Sequence, residues 1–158
     1  LINKAKFAAI NFHTATPKYR GIGCTNFAIL NGEKIFGCTA HLISEKIDGG
    51  SILNVKRFKV KKKNNLTSIL NKLHKEQFLQ IKSIINNLFK NRENLKFLKK
   101  KSKNEKWSKK LYTRKDLNNL YIIDPKVNNR KLEKIIKSTL TANYKPYLLM
   151  CGKKFILD

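Results

Sequence analysis

The sequence predicts an α/β domain with a mostly parallel sheet, one long amphipathic helix and a small C-terminal β-hairpin. Three observations predict it. Strand-length apolar runs at 6–13 and 35–43 are separated by a loop and a short helical stretch. Residues 66–89 repeat apolar side chains at spacings of three and four, the period of one helix face. Two short apolar runs at 147–151 and 154–157 flank Gly152-Lys153, a hairpin signal.

Each element has a local reason. Residues 6–13 are mostly apolar, as in a buried parallel strand. Residues 14–22 form a loop, bent by Pro17 and loosened by Gly21. Residues 24–30 are a short helix, with Thr25 as a candidate cap and Asn31-Gly32 as its stop. Residues 35–43 and 52–60 read as strands, the second at an edge, and Ile47-Asp48-Gly49-Gly50 turns between them. Asn65 or Thr67 caps the long helix. Its apolar positions, including Phe78 and Ile85, read as core-facing, and His74 reads as a helix-side histidine. The Lys-rich stretch 90–106 reads as a loop or surface arm, followed by helices at 114–121 and 130–140. The predicted units are 1–90 and a basic linker with a small C-terminal extension at 91–158.

With 158 residues the chain suits a modest domain with a real core. No run is apolar enough for a membrane span. Three scattered cysteines, Cys24, Cys38 and Cys151, argue for a reducing compartment and a cytoplasmic location. Cys38 and His41 are three apart, which places them on opposite strand faces and argues against a metal site. The 35 Lys and Arg against 10 Asp and Glu give a net charge of +25. One reading is a polyanionic partner, nucleic acid or a phosphorylated substrate. The other is solvated surface lysine, since Arg, the geometry-specific phosphate ligand, is scarce. A start at Leu1 that runs almost at once into a strand reads as an N-terminally incomplete chain.

The candidate chemistry lies in 9–53. Asn11 and His13 are two apart, so a strand puts both on one face, and Asp48 follows 35 positions after His13 in a Gly-rich turn. An amide, an imidazole and a carboxylate on strand ends make a plausible catalytic set. Lys18, Tyr19 and Arg20 sit on the loop beside His13 as candidate substrate contacts, Trp107 and Tyr112 are candidate stacking rings, and His41 is a candidate pocket-lining residue.

Five short motifs in order carry a resemblance. They are Asn11-Phe12-His13, Pro17-Lys18-Tyr19-Arg20-Gly21, Ala28-Ile29-Leu30-Asn31-Gly32, Gly37-Cys38-Thr39 and Ile47-Asp48-Gly49-Gly50. Together they resemble the formyltransferase family, which moves a formyl group from 10-formyltetrahydrofolate to an amine. Trp107 to Tyr112, Ile123-Asp124 and Pro146-Tyr147 through Gly152-Lys153-Lys154-Phe155 look like the sugar N-formyltransferase branch. The loop Thr14-Ala15-Thr16-Pro17 is one residue shorter than the matching stretch of the methionyl-tRNA branch. The resemblance implies a formyltransferase-type fold and no metal. It implies 10-formyltetrahydrofolate as donor and a nucleotide-linked amino sugar as acceptor. The alternatives are methionyl-tRNA or another amine, or a non-catalytic nucleic-acid-binding scaffold. It implies Asn11, His13 and Asp48 as catalytic, with Asp48 and Ile47 at the donor. Asn11 is expected to stabilise the oxyanion, His13 to donate or shuttle a proton, and Asp48 to orient His13 or accept the amine proton.

Overall fold

A computed structural model describes residues 4–157. In chain order its elements are β1 (Ile10–His13), β2 (Arg20–Gly21), α1 (Cys24–Leu30), β3 (Ile35–Leu42), β4 (Ile52–Lys59), α2 (Leu66–Lys90), α3 (Asn94–Lys101), β5 (Leu111–Tyr112), α4 (Arg114–Leu120), β6 (Ile122–Ile123), α5 (Asn129–Thr139), β7 (Tyr147–Met150) and β8 (Lys153–Ile156). Leu1, read above as an interior start, lies outside the described residues.

The sheet that carries the site has the order β1-β3-β4. Here the expected mostly parallel arrangement is corrected, because both pairings are antiparallel. The β3–β4 link, residues 43–51, contains no helix, and a parallel crossover needs a dozen or more residues, usually helical. The doubly buried look of β3 has another source. Its residues from Phe36 to His41 are all buried: two apolar clusters take Phe36, Cys38 and Ala40 on one face, and on the other Thr39 Oγ1 donates to Ala15 O and His41 meets Asn11. One joins Phe36 and Cys38 to α1 and the first turns of α2 through Phe27, Leu66, Ile69 and Leu73. The other joins Ala40 and Leu53 to Ile84, with Leu95 and Leu98 against it. Among the described residues, parallel pairing occurs in the two-residue contacts β2–β5 and β6–β7. The first strand is also shorter than read, Ile10–His13.

The helices follow their local signals closely. Asn65 caps α2 with a capping box: its side chain accepts from Ser68 N at 2.9 Å and Ser68 Oγ accepts from Asn65 N at 3.0 Å. Phe78 and Ile85 point outward, at 65% and 41% exposure, so the core stripe of α2 is narrower than its periodicity implies. Thr25 is not the cap of α1; Gly23 is, with φ 70 and no side-chain cap. The stretch read as a loop at 90–106 contains α3, because Leu95 and Leu98 form an apolar stripe over the second cluster while its lysines stay in solvent. Ser102 Oγ then donates to Leu53 O at 2.8 Å. The hairpin β7–β8 forms, turning at Cys151-Gly152, both left-handed with φ 49 and 73, the pattern of a type I′ turn.

Candidate active site

Asp48 is presented by the β3–β4 turn, and its own backbone is left-handed, φ 41. Asp tolerates that conformation better than branched residues do. Gly50 follows because the turn passes so close to β3 that a Cβ there would lie 1.8 Å from the Leu42 carbonyl oxygen. The carboxylate is then held from below: Gly21 N donates to Asp48 Oδ2 at 2.8 Å.

β1 delivers the amide and the imidazole to that carboxylate. Asn11 Nδ2 donates to Asp48 Oδ1 at 3.5 Å, and His13 Nδ1 lies 3.4 Å from Oδ2. The antiparallel register sets Asn11 directly opposite His41, so His41 enters the same cluster. Its Nδ1 pairs with Leu42 O at 2.8 Å and its Nε2 with Asn11 Nδ2 at 3.1 Å. A carbonyl only accepts, so neutral His41 carries its proton on Nδ1 and receives the Asn11 donor at Nε2. By the same reasoning neutral His13 carries its proton on Nε2, which donates to Tyr19 O at 2.7 Å. Its bare Nδ1 faces the Asp48 carboxylate.

Burial lowers the pKa of His13 below its usual value, against the raising effects of the Tyr19 carbonyl and the Asp48 charge. For Asp48, burial pushes the pKa up. A His41 hydrogen bond, the Gly21 N–H and the positive charge that His13 and His41 carry when protonated outweigh that, and the net is downward. The resting pair is therefore a neutral imidazole against a carboxylate, with room for one proton between them.

The other expected site residues divide. Arg20 spends its donors on backbone: Nε to Asp48 O at 2.9 Å, one terminal nitrogen to Ile47 O at 2.7 Å and the other to Ser108 O at 3.0 Å. Trp107 reaches the cluster. Its ring sits edge-on to His41 and His13, centroids 4.9 and 5.8 Å apart, and its Nε1 donates to Gly50 O at 2.7 Å. Tyr19 and Tyr112 do not. Both are buried in the first cluster, stacked on each other at 5.8 Å, with Tyr112 on Phe27 at 4.0 Å. Their apolar rings fill the space under α1, which corrects the expectation of substrate contact. Lys18 is exposed and paired with Glu33. Ile47 stands 62% exposed beside Asp48, an apolar side chain available to a flat ring. Cys24 Sγ lies 3.9 Å from His13 Nε2, with burial pushing its thiol up to about 12. Among the described residues no group of three or more His, Cys, Asp or Glu is arranged to hold a metal ion, and no helix is long and apolar enough to cross a membrane.

Comparison with known proteins identifies the family. The family pattern described as Formyl transferase matches residues 1–85. ArnA of Wigglesworthia glossinidia brevipalpis, a bifunctional polymyxin resistance protein, is 41% identical over 69 residues, 43% of this chain and 11% of that protein. The methionyl-tRNA formyltransferase of Chlorobium limicola is 36% identical over 70 residues, 44% of this chain and 22% of that one. Among solved structures, a 4-N formyltransferase from Francisella tularensis superposes with a TM-score of 0.78 at 22% identity, over 99% of this chain and 63% of that one. An N-formyltransferase from Helicobacter canadensis, solved with folinic acid and dTDP-3-aminofucose, gives 0.63 at 23% identity, over 92% and 52%. The chain thus spans less than two thirds of these relatives, and the matched half contains β1, β3, β4 and the Asp48 turn. It belongs to the formyl transferase family.

Proposed function

We propose that the protein transfers the formyl group of 10-formyltetrahydrofolate to the amino group of a nucleotide-linked amino sugar. The observation that carries this reading is the convergence of Asn11 and His13 on the Asp48 carboxylate, at 3.5 and 3.4 Å. The amine attacks uncharged, and its nitrogen adds to the formyl carbon, whose oxygen becomes an oxyanion. Asn11 Nδ2 donates to that oxygen, exchanging its long contact with Asp48; such a donor contributes about 10²–10³ in kcat. The nitrogen's proton passes to the carboxylate and is held between Asp48 Oδ2 and the bare Nδ1 of His13. The bond from the formyl carbon to N10 then breaks, and N10 takes the proton. The products are the N-formyl sugar and tetrahydrofolate. Trp107 closes one side of the cluster and Ile47 lies beside it on the donor side.

Support for a sugar acceptor comes from the C-terminal half. The Francisella structure is matched over 99% of this chain, β5 to β8 included, whereas the curated tRNA-directed relatives match 42–46% of it. The net charge of +25 and 36% identity to the Chlorobium enzyme favour methionyl-tRNA as the second reading. A transfer assay with the full protein separates them. Formylation of a nucleotide-linked amino sugar but not of charged tRNA supports the first. Formylation of charged tRNA alone moves the acceptor. Retained RNA binding with no transfer to either overturns both.

A further inference from the structure

Trp107 reaches the Asp48 cluster from a segment that is neither helix nor strand. Residues 102–108 run between α3 and β5, and a series of hydrogen bonds straps them to the site. Ser102 Oγ donates to Leu53 O of β4 at 2.8 Å, Trp107 Nε1 to Gly50 O at 2.7 Å and Ser108 N to Pro17 O at 2.9 Å, while Ser108 O accepts from Arg20 at 3.0 Å. Each of these bonds has backbone on at least one side. Glu105 is different. Arg57 of β4 donates through both terminal nitrogens to its two carboxylate oxygens, each at 2.7 Å, a planar fork that lysine cannot make. Glu105 stands among Lys100, Lys101, Lys103 and Lys106, yet its fork partner is an arginine 48 positions away. A cavity of about 500 Å³ is lined by Arg57, Glu105, Lys106 and Ser108, so on that side the segment borders open space rather than packed core.

We infer that Arg57 and Glu105 are positioning residues: their ion pair is the salt-sensitive clamp that holds the 102–108 strap closed, with Trp107 against His13 and His41. Glu105 stands two residues before Trp107, and two residues span at most about 7 Å, so an anchored carboxylate limits how far the indole can swing. The indole edge covers both imidazoles, with centroids 5.8 Å from His13 and 4.9 Å from His41. Water entering there would weaken the electrostatics between His13 and the Asp48 carboxylate. Among the strap's bonds, the Arg57–Glu105 fork is the one between two opposite charges. Its side chains are 42% and 29% exposed, so dissolved ions reach and screen it. The Arg57 hydrogen bonds hold the Glu105 carboxyl below its usual range, which keeps it charged at neutral pH. The kinetic consequence rests on the proposed formyl transfer; closure of the strap is read without turnover.

Trp107 is the only tryptophan in the chain, so acrylamide quenching of its fluorescence reads the strap directly. In the wild-type protein, quenching should rise between about 0.1 and 1 M NaCl, as the screening length falls from about 10 to about 3 Å. Glu105→Gln should be quenched more strongly at low salt, with emission at longer wavelength and no further response to salt. Its kcat should fall about 3- to 10-fold with KM little changed, since the indole shifts beside the reacting groups. The reversed pair, Arg57→Glu with Glu105→Arg, should restore both the quenching and the kcat that each single change loses. Glu93→Gln removes an exposed acid paired with Lys96 in the same basic stretch and should alter neither. Wild-type quenching that ignores salt, or equal quenching in wild type and Glu105→Gln, overturns the inference. So does a Glu105→Gln protein that melts early but is quenched and turns over normally per folded molecule, because the pair then serves stability alone. Raised quenching with unchanged kcat overturns the positioning role and spares the reaction. Salt-dependent quenching that is lost in Glu105→Gln, in a protein that transfers no formyl group, spares the clamp and overturns the reaction.

Discussion

Arg20 holds Asp48 by its backbone: Arg20 Nε donates to the Asp48 carbonyl oxygen at 2.9 Å. The same guanidinium ties down Ile47 O and Ser108 O, so one side chain fixes both the turn carrying the carboxylate and the segment carrying Trp107. The sequence reads Arg20 as a candidate substrate contact; in the fold its donors go to three backbone carbonyls, an arrangement suited to positioning the turn.

Arg20→Lys tests that role. Lysine keeps the charge but cannot make the planar three-way fork. A shift of about 1 Å in a catalytic group costs on the order of 100-fold in rate. The expected outcome is a kcat drop of about 10- to 100-fold with KM little changed and the folded fraction intact. Steady-state kinetics beside a thermal melt checks it. A variant that melts early but turns over normally per folded molecule would assign Arg20 to stability alone.

Asp48 combines a left-handed backbone, φ 41, with the charge that His13 faces. These two properties separate by substitution. Asp48→Asn tolerates the backbone and loses the charge, so unfolding free energy should stay within about 1 kcal/mol while kcat falls about 10²–10⁴-fold. Asp48→Val forces a β-branched residue into the same backbone, adding about 1–3 kcal/mol of strain. Urea unfolding and single-turnover rates on both variants read the two effects apart.

The pH dependence follows from burial. Because burial holds the His13 pKa below 6.5, the unfolded chain binds the proton more readily than the fold does. Stability contributed by neutral His13 is therefore present above pH 6.5 and lost as pH falls below it. The net lowering of Asp48 from 3.8 adds stability present above that value and lost as pH falls further. Both losses lie on the acid side. Urea midpoints should drop from pH 6.5 to 5, and His13→Asn should flatten that portion of the curve. A midpoint that rises on acidification across that window would contradict the assignment.

Local chemistry made much of the fold legible. The span of α1 and the start of α2 could be read from Asn31-Gly32 and Asn65 because caps and stops act within a turn. The β7–β8 hairpin could be read from Gly152. Strand direction could not, because burial by helices and burial in a parallel sheet leave the same apolar run at Ile35–Leu42. That single ambiguity also left His41 as a pocket-lining candidate with no assigned partner. Antiparallel pairing places it opposite Asn11, a neighbour that a parallel reading does not supply. α3 was masked by its lysines, whose charge looks like a loop until Leu95 and Leu98 find β4. Asn11, His13 and Asp48 were legible because period two and a Gly-rich turn suffice to place them. Tyr19 and Tyr112 were not, because an aromatic residue on a loop gives no local sign of whether its ring turns inward.

Thiol reactivity should divide by burial. Cys24 and Cys38 are buried, and burial pushes their thiols up to about 12 and about 11. Cys151 is exposed in the β7–β8 turn. The thiolate is the reacting species. Iodoacetamide at pH 8 should therefore add one label to the native protein, at Cys151, and three in urea. Fast labelling of Cys24 without denaturant would mean that the wall beside His13 opens in solution.

Gly50 gives the sharpest link between backbone and chemistry. A Cβ there would lie 1.8 Å from Leu42 O, and backbone on a buried strand cannot step aside cheaply. The same residue accepts the Trp107 Nε1 donor at 2.7 Å, and Ser51 O accepts from Leu42 N at 2.9 Å. Gly50→Ala must therefore open the turn that presents Asp48 and move Trp107 with it. Overpacking of this kind costs about 1–3 kcal/mol or more, and activity per folded molecule should fall because the carboxylate shifts. Gly32→Ala is the control. Gly32 has φ 70, and a Cβ added there would meet nothing within 4 Å, so only backbone strain of about 1–2 kcal/mol is expected, with turnover per folded molecule unchanged. Equal loss of turnover in both variants would show that the Asp48 turn is sensitive to stability in general rather than to its own geometry.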